Sequence, residues 1–408
     1  MVGHADDAIG GVMRGAWRYY VLDAVAHAWP SRSTDGEGVV VYSPGHLGDI
    51  LHTVPMLRKL RTACPSRRLY WIVGPWSENL ARRYSDAVDE IVVFSPDFPN
   101  FYRTDARWRQ GMWKQWDIGR RLRSAGIEYL VTTLPENTAS RFLANAIVPR
   151  VWIGVEDRRP PRVNCKIQTE FHPYEKDRYQ ADAQVGLLRS LGIEGLPAFE
   201  LEYTVTPVEN EMAVKYLKQE GIVPGSSLAL ISPGSGWSGK NWPPDRFGEI
   251  ANWLEREKNI QVAWIGSREE KALMPASRPM DRNWMGSLTL AQLAAVMAHA
   301  SLWVGNDSGT LHLAAAVGIP TVSVWGPTSP GKWGPRGSKH RQVKKWEKCP
   351  GCVYWDWRAS CLMPHHECME VIATGDVLAA IDNLLYNDRN CRWSASPPWR
   401  AAHKMKRP

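Results

Sequence analysis

The sequence predicts an α/β protein with two doubly wound units in series, each a parallel sheet covered by helices on both faces. Short apolar runs that are typical of buried strands alternate with stretches of helical periodicity from residue 39 onward. The same rhythm restarts after a helical stretch near residues 179–191, which indicates a boundary near residue 200. The length of 408 residues is sufficient for two full domains.

The pattern predicts the elements of both units in alternating order. In the first unit, strands are predicted at residues 39–42, 69–73, 91–94, 129–134 and 151–154, and helices at 49–61, 77–84 and 138–147. In the second, strands are predicted at 228–232, 262–265, 302–304 and 321–325, and helices at 244–257, 290–300 and 310–317. Ligands of such sheets bind at the carboxyl ends of strands, so functional residues are expected directly after strands.

Four segments are predicted along the chain: an amphipathic extension (1–36), an amino-terminal domain (37–200), a carboxyl-terminal domain (201–386) and a basic tail (387–408). The extension has apolar residues at helical spacing, so it forms a helix either on a membrane surface or packed on the domain body. The tail has six basic residues and one acid, which fits peripheral attachment to anionic lipid at the cytoplasmic face of the inner membrane.

Composition and charge exclude several classes of protein. No stretch approaches the ~20 apolar residues of a membrane span, and the first residues carry acids rather than the basic start of a secretory signal. The net charge is +8, and the tail leaves only +3 for the rest, so a nucleic-acid partner is not expected. The seven cysteines do not resemble a secreted disulfide framework, which favours the cytoplasm.

The first candidate motif is residues 43–49 (SPGHLGD), directly after the first predicted strand. Gly45 and Gly48 permit a tight turn and close approach of a ligand to the backbone. Asp49 begins the next helix, where its carboxylate is either a general base that accepts a proton from an attacking hydroxyl or a helix N-cap. His46 is either a second base or a loop residue.

The second motif is residues 232–243 (SPGSGWSGKNWP), also after a predicted strand. Gly234 to Lys240 has the glycine and lysine spacing of a Walker A loop. Asn241 replaces the Ser or Thr that would hold magnesium, and the prolines at 243–244 prevent a helix from starting there, so a P-loop NTPase is disfavoured. The loop and its lysine predict a diphosphate site, with a flexible surface loop as the alternative.

The third motif is residues 305–316 (GNDSGTLHLAAA), which follows a predicted strand and opens a helix of small residues. The first residues of this helix present backbone N–H groups at its positive end, which is a favourable place for an anion. Asp307 is placed to hydrogen-bond sugar hydroxyls, and His312 lies on the same helix. A plain capped helix is the alternative.

These three segments resemble glycosyltransferase family 9, the ADP-heptose:lipopolysaccharide heptosyltransferases. Residues 48–55 are similar to the family's Gly-Asp-x6-Pro helix start, residues 240–243 to its Lys-x-Trp-Pro motif, and residues 307–312 to its Asp-x-Gly-x-x-His motif. The similarity extends from about residue 39 to 385. The resemblance implies a GT-B fold, in which two Rossmann-like domains face a central cleft, the first taking the acceptor and the second the nucleotide-sugar.

The resemblance also implies roles for individual residues. Asp49 would be the general base, Glu269 would contact the ribose, Leu288 would pack near the adenine and Asp307 would contact the donor sugar. The diphosphate would be bound by Ser235, Gly236 and Lys240 in the donor loop and by the backbone at Ser308, Gly309 and Thr310, and His312 completes the donor-binding set. The loop here is Pro-Gly-Ser-Gly instead of the threonine-bearing loop of the family's best-described inner-core enzymes, so the identity of the donor sugar stays open.

Elementary chemistry agrees with this resemblance. An inverting glycosyl transfer needs one base for the acceptor hydroxyl and a positive environment for the departing diphosphate. Asp49 supplies the first, and Lys240 with the helix start at Thr310 supplies the second. The chain has no Asp-x-Asp motif for a divalent metal, so the predicted reaction is metal-independent and needs no cofactor.

Two further clusters are candidates for binding. The cysteines Cys349, Cys352, Cys361 and Cys368 have a spacing that suits a structural zinc or iron site, with reduced thiols or a disulfide as alternatives. The stretch 98–116 interleaves aromatic and basic residues that suit an anionic glycolipid or glycan acceptor. Its candidate acceptor-binding residues are Arg103, Arg107, Arg109 and Lys114. Single-stranded nucleic acid or a solvated amphipathic helix are the alternatives for this stretch.

The sequence thus predicts an inverting glycosyltransferase that moves heptose from ADP-heptose, or a related nucleotide-sugar, to a lipopolysaccharide core or other cell-envelope glycan. Two alternatives stay open. One is the same fold with another nucleotide-sugar or a protein acceptor, and the other is a non-catalytic nucleotide-sugar binding protein.

Overall fold

A computed structural model of the chain describes residues 36–94, 108–135, 138–156, 167–175, 177–194, 200–222, 226–278, 281–345 and 367–390. These residues form two compact units. The first comprises the described parts of Met1–Lys176 and Ala181–Ala198, and the second those of Asp177–Gln180 and Phe199–Pro408. The predicted extension up to residue 35 and the tail from residue 391 lie outside this description.

The described residues contain two six-stranded sheets. The strands of the first are β1 (Gly38–Ser43), β2 (Leu69–Val73), β3 (Glu90–Val93), β4 (Ile127–Pro135), β5 (Val151–Val155) and β6 (Gln168–His172). The strands of the second are β7 (Leu228–Ser232), β8 (Gln261–Trp264), β9 (Arg282–Asn283), β10 (Leu302–Asn306), β11 (Thr321–Val324) and β12 (His340–Val343).

The α-helices of the first half of the chain are α1 (Leu47–Ala63), α2 (Glu78–Ala81), α3 (Trp108–Ser124), α4 (Thr138–Ile147) and α5 (Gln180–Gly186). Those of the second half are α6 (Pro207–Gln219), α7 (Pro244–Lys258), α8 (Leu290–Met297), α9 (Gly309–Val317), α10 (Pro330–Trp333), α11 (Glu367–Glu370) and α12 (Thr374–Asn390). Short 3-10 helices occur at Arg82–Tyr84, Leu187–Leu191, Ser238–Lys240 and Glu269–Leu273. No helix in the described part of the chain is both long enough and apolar enough to cross a membrane.

Every strand pair in the first sheet is parallel, in the order β3-β2-β1-β4-β5-β6. The central strand β1 is fully buried because helices cover both faces of the sheet, which explains its continuous run of valines. The strand order reverses between β1 and β4. At such a switch point, the loops that follow the two strands diverge to opposite faces and leave a crevice for a ligand.

The second sheet repeats this topology, with parallel strands in the order β12-β11-β10-β7-β8-β9. Its switch point lies between β7 and β10, where Ser232 pairs with Gly305. Fully buried tryptophans such as Trp242 and Trp264 fill the core together with apolar residues of α7 and α12. The predicted fold class of two Rossmann-like α/β units is therefore confirmed.

Local signals in the sequence set several helix ends. Thr206 and Glu209 form a capping box at the start of α6, with Pro207 in the first helical position. Thr289 and Gln292 do the same for α8. Helix α9 ends at Gly318, whose φ of 92° is readily available only to glycine. Helix α9 itself begins at Gly309, soon after β10 ends at Asn306, at the switch point of the second sheet.

Candidate functional site

The loop after β1 brings Asp49 to the switch point of the first sheet. Asp49 is the third residue of α1, and one of its carboxylate oxygens, Oδ2, accepts a hydrogen bond from the backbone N–H of His46 at 2.8 Å. The N-cap position itself belongs to His46. The carboxylate therefore has a fixed position in the first helical turn and stays half-buried rather than fully enclosed.

Gly45 is required by close packing against this carboxylate. A Cβ atom at Gly45 would lie 2.3 Å from Asp49 Oδ2 and 2.4 Å from Asp49 Cβ, both far inside van der Waals contact. The Gly45 carbonyl oxygen accepts hydrogen bonds from Trp76 Nε1 and Ser77 Oγ, each at 2.9 Å. Residues at the start of α2 thus fix the loop after β1 by hydrogen bonds. The missing side chain of Gly45 leaves the space that the Asp49 side chain occupies.

Thr53 connects α1 to the end of β1. Its hydroxyl donates to the Asp49 backbone oxygen at 2.8 Å and lies 3.0 Å from Ser43 Oγ. Both hydroxyls are buried. The first turns of α1 are therefore held against the strand, which limits the movement of Asp49.

In the second unit, buried Asn306 joins the loops after β7 and β10. Its Nδ2 donates to the Pro233 carbonyl oxygen at 2.7 Å, and its Oδ1 accepts from the Trp242 backbone N–H at 3.1 Å. One side chain therefore fixes both ends of the loop 233–242, which is called the donor loop below. This explains how a loop rich in glycine and serine has a defined shape.

Lys240 and Asp307 form an ion pair at this switch point. Lys240 Nζ lies 3.1 Å from Asp307 Oδ2, and Thr328 Oγ1 donates to the same oxygen at 2.7 Å. Asp307 is almost fully buried. Burial is the largest single influence and would raise the pKa of Asp307, but the charge of Lys240, the neighbouring His312 and the hydrogen bonds from Thr328 and Lys240 together outweigh it, so this pKa lies below its ordinary value. Asp307 is therefore ionised at neutral pH.

His312 lies next to this ion pair, with its Nε2 3.9 Å from Asp307 Oδ1. Burial lowers the pKa of His312 to about 4, although the Asp307 charge acts in the opposite direction. The imidazole is therefore uncharged at neutral pH, and Lys240 is the cation that balances Asp307. The predicted donor residue His312 therefore lies beside Asp307, the residue predicted to contact the sugar.

The amino terminus of α9 lies beside the same carboxylate. The Thr310 hydroxyl is 2.9 Å from both Ser232 Oγ and Ser308 Oγ, which ties the start of the helix to the end of β7. Within the described residues, no side chain caps this helix start. Its first N–H groups and the helix dipole thus provide positive potential next to Lys240.

In the donor loop, the Ser235 side chain forms hydrogen bonds with other residues of the loop. Its Oγ lies 2.7 Å from the Trp237 carbonyl oxygen and 2.6 Å from Asn241 Oδ1. Gly236 follows, and a Cβ there would meet no described atom within 4 Å. The loop therefore presents its backbone, rather than the Ser235 hydroxyl, to the space beside Gly236.

The acid that reaches the donor loop is Glu270. A Cβ on Gly234 would lie 2.1 Å from Glu270 Oε1, and Glu270 Oε2 accepts from the Ser267 backbone N–H at 2.6 Å. Glu269, the predicted ribose contact, is exposed, and local hydrogen bonds to its own backbone and to Ser267 lower its pKa. Glu269 and Glu270 are adjacent in the same 3-10 helix, and the sequence pattern does not reveal that the Glu270 side chain is the one against Gly234.

Leu288 lies near this acidic turn. The Gly286 backbone N–H donates to the Gly266 carbonyl oxygen at 2.9 Å, so the segment that carries Leu288 runs beside the loop after β8. Leu288 is half-buried. The second unit therefore brings predicted donor residues from the segments after four strands, β7, β8, β9 and β10, to the carboxyl edge of its sheet.

The sequence model of glycosyltransferase family 9 (heptosyltransferase) matches residues 116–356, which is more than half of the chain. The chain belongs to glycosyltransferase family 9. It is therefore a glycosyltransferase, and its predicted family is confirmed.

Individual relatives and structures agree with this assignment. Lipopolysaccharide heptosyltransferase 1 of Pseudomonas aeruginosa is 23% identical over 326 residues, which span 77% of this chain and 86% of the relative. A glycosyltransferase family 9 structure from Veillonella parvula superposes with a TM-score of 0.68 at 21% identity, covering 88% of this chain and all of that one. The ADP-heptose lipopolysaccharide heptosyltransferase II of E. coli gives a TM-score of 0.63 at 18% identity, with 86% and 99% coverage.

The predicted acceptor-binding residues of this family 9 glycosyltransferase fall on α3 or just ahead of it in the sequence. Arg103 and Arg107 are outside the described residues, Arg109 lies on α3 without a described side chain, and Lys114 is exposed on α3. Further along this helix, Trp116 packs on Phe142 of α4, with ring centroids 5.9 Å apart. Trp116 therefore contributes to the interior of the first unit.

The cysteine cluster is described at one position. Cys349, Cys352 and Cys361 lie outside the described residues, and Cys368 is buried at the start of α11. A Cβ on Gly326 would lie 2.3 Å from Met369 Sδ and 3.1 Å from Cys368 Sγ. The described residues contain no group of three or more His, Cys, Asp or Glu side chains that could hold a metal ion.

Proposed function

We propose that this family 9 glycosyltransferase transfers heptose from ADP-heptose, or a related nucleotide-sugar, to a lipopolysaccharide core or another cell-envelope glycan with inversion at the anomeric carbon. The observation that carries the proposal is the Lys240–Asp307 pair, which combines a cation and an ionised acid beside the uncapped start of α9. This combination suits a ligand with an anionic diphosphate and a hydroxyl-rich sugar.

The donor would bind with its diphosphate at the donor loop and the first turn of α9. Lys240 Nζ and the helix N–H groups would bear the negative charge that develops on the leaving diphosphate. Asp307, ionised and held in place, would accept hydrogen bonds from sugar hydroxyls. Glu270 lies against Gly234 of the donor loop and is therefore a second candidate, beside Glu269, for the ribose hydroxyls.

Asp49 would act as the general base. The acceptor oxygen forms a bond to C1 of the sugar from the face opposite the diphosphate, and its proton passes to the Asp49 carboxylate. The bond between C1 and the diphosphate oxygen breaks, and its electron pair leaves with the nucleoside diphosphate. The His46 N–H holds Oδ2, which orients the carboxylate for this step. Arg103, Arg107, Arg109 and Lys114 remain proposed contacts for an anionic acceptor.

A donor panel tests this proposal. We expect ADP-heptose to bind more tightly than UDP- and GDP-sugars in calorimetric titrations, and labelled heptose to appear on lipopolysaccharide core in a transfer assay. Preference for a UDP- or GDP-sugar, or transfer to protein, would favour the alternative of another donor or acceptor. Tight binding without hydrolysis or transfer would indicate a non-catalytic binding protein.

The proposed reaction uses Lys240 and α9 in place of a divalent cation, so we expect transfer to continue in excess EDTA and to gain nothing from added Mg²⁺ or Mn²⁺. Circular dichroism before and after chelation separates a lost fold from lost chemistry. A dependence of the initial rate on Mg²⁺ with an intact fold would contradict metal independence.

The cysteines are proposed to hold a structural zinc or iron ion, because four thiolates suit a tetrahedral site. The measurement is the metal content of the chain purified without chelator, where about one ion per chain is expected. A ratio well below one would remove this site from the proposal without affecting the catalytic assignment.

A further inference from the structure

The loop after β11 reaches the donor site through Thr328. Its Oγ1 donates to Asp307 Oδ2 at 2.7 Å, while Lys240 Nζ approaches the same oxygen at 3.1 Å. Both donors therefore act on one oxygen of the carboxylate. The other oxygen, Oδ1, is directed toward the side of His312, whose Nε2 is 3.9 Å away. The two carboxylate oxygens therefore have different surroundings. Oδ2 has both the charged ammonium group of Lys240 and the uncharged hydroxyl of Thr328 as partners.

The loop that carries Thr328 is itself anchored. Lys344, one residue after β12, donates from Nζ to the Thr328 carbonyl oxygen at 3.1 Å. Gly326 packs closely on Met369, where a Cβ would come within 2.3 Å of the sulfur. The Asp307 backbone N–H bonds to the Val324 carbonyl oxygen at the end of β11. The hydroxyl of Thr328 is thus presented to Asp307 from a backbone that is fixed on two sides.

The hydroxyl also limits rotation of the Asp307 carboxylate. A carboxylate left alone with one ammonium group can turn so that both oxygens share the cation, and its oxygens are then no longer directed for a sugar hydroxyl. Thr328 occupies a lone pair of Oδ2 and so opposes this rotation. The hydrogen bond keeps the acid directed for sugar hydroxyls and leaves Lys240 bound to a single oxygen.

We propose that Thr328 is a positioning residue for the donor sugar: its hydroxyl sets the orientation of the Asp307 carboxylate and thereby the selectivity for a nucleotide-sugar over the bare nucleotide. This inference rests on the proposed function, since it takes Asp307 as the sugar contact. The ligand class for which Thr328 would set selectivity is a hydroxyl-rich sugar ring attached to a nucleoside diphosphate. The sequence gives one indirect signal, because Thr328 follows a predicted strand.

The test compares Thr328→Val, which keeps the shape and removes the hydroxyl, with Thr328→Ser, which keeps the hydroxyl. The full chain is titrated with ADP-heptose and with ADP, and the ratio of the two affinities is the readout. We expect Thr328→Val to lower the affinity for ADP-heptose by about tenfold, as for a lost hydrogen bond to a charged group, with ADP affinity nearly unchanged. Thr328→Ser should keep the wild-type ratio.

Thr321→Val is the matched control. Thr321 is the first residue of β11, at the end away from the loop of Thr328. It is fully buried, and its hydroxyl is 2.9 Å from His340 Nδ1. Its loss removes a buried hydrogen bond from the same unit without touching the donor loop. We expect Thr321→Val to lower thermal stability and to leave the ratio of ADP-heptose to ADP affinity unchanged.

The pH dependence of donor kcat/KM provides a second readout. It would stay unchanged if Thr328 had a merely structural role. The charged or titratable groups acting on Asp307 are Lys240 from the donor loop and His312 from α9. The Thr328 hydrogen bond helps to lower the pKa of Asp307, so its removal should raise that pKa. The acidic limb of donor kcat/KM should therefore move to higher pH in Thr328→Val and return in Thr328→Ser.

The outcomes separate this inference from the proposed function. An unchanged affinity ratio and pH profile in Thr328→Val, or an equal loss of ADP and ADP-heptose affinity, would overturn the positioning role. If wild-type protein binds ADP-heptose no better than ADP, the proposed donor is wrong. The same comparison with whichever nucleotide-sugar of the panel binds then decides the role of Thr328.

Discussion

Replacement of Asp49 by asparagine is expected to lower kcat for sugar transfer by about 10²–10⁴-fold, the usual contribution of a positioned general base. Asparagine keeps the shape and can still accept the His46 N–H bond through its amide oxygen, so α1 should begin at the same residue. The amide cannot take the proton of the acceptor hydroxyl. The measurement is the transfer rate at saturating donor and acceptor, with ADP-heptose affinity as a check on the second unit.

Asp86→Asn is the matched control for this result. Asp86 is an exposed acid of the same unit whose carboxylate pairs with Arg58, and its loss should leave kcat unchanged. If pure Asp49→Asn protein retained more than about a tenth of wild-type activity, Asp49 would not be the base, because that loss is below the range of such a group.

Gly45→Ala offers a second variant that leaves the carboxylate in the chain and displaces it. The added methyl group would lie 2.4 Å from Asp49 Cβ and Cγ, so the side chain must move. We expect a reduced kcat with donor affinity unchanged. Gly375→Ala, where the added Cβ would meet no described atom within 4 Å outside its own helix, is the control for the substitution itself.

The sequence predicted the centres of both sheets and missed several of their edges. The interior strands β1, β2 and β7 are continuous apolar runs because both faces are covered. The edge strands β6, β9 and β12 are short or polar and partly exposed, so they lack that signal. Their position follows from pairing with a neighbour, which is a tertiary property that hydrophobic periodicity does not encode.

Two helices that the prediction omitted did have signals. Helix α6 has a readable capping box at Thr206–Glu209, but only Ala213 and Leu217 among its residues are buried, so its apolar pattern is weak. Helix α12 buries Val377, Ile381 and Leu384 at helical spacing.

The positions of the predicted site residues in the fold could be read from the sequence where these residues come soon after a strand. Asp49 lies in the first turn of α1, just after β1, and Lys240 and Asp307 lie in the segments after β7 and β10, so all three are at the carboxyl ends of their strands. Contacts across loops were not predictable. Glu270 reaches Gly234 and Thr328 reaches Asp307 only because distant segments meet at one edge of the sheet. A single sequence does not show directly which distant segments come into contact in the fold.

Replacement of Lys240 by methionine is expected to lower transfer by about 10²–10³-fold, as for the loss of one group that stabilises a leaving oxyanion. Because the ammonium would act on the diphosphate, ADP affinity should fall more than AMP affinity. Calorimetric titration with the two nucleotides measures this difference. Lys258→Met is the matched control, since Lys258 pairs with the exposed Asp382 of the same unit and should affect neither ligand. Equal losses for ADP and AMP would contradict a diphosphate role.

The same variant should reverse the effect of pH on stability. In the wild type, the lowered pKa of Asp307 contributes stability above the pKa of the unfolded chain, and this contribution is lost as pH falls through the folded pKa. Without Lys240, burial dominates and raises that pKa, so the contribution exists at low pH and is lost as pH rises through the raised value. The Tm difference between wild type and Lys240→Met should therefore grow from acidic to neutral pH.

The double variant Lys240→Met/Asp307→Asn separates the two roles of the lysine. It removes the buried charge that Lys240→Met leaves without its cation, so thermal stability should return at neutral pH and its unusual pH dependence should disappear. The preference for ADP over AMP should not return, because no positive side chain replaces Lys240 at the donor loop. If the double variant recovered the wild-type ADP preference, Lys240 would serve only as the counter-ion of Asp307, and the α9 amino terminus would be the remaining source of positive potential for the leaving diphosphate.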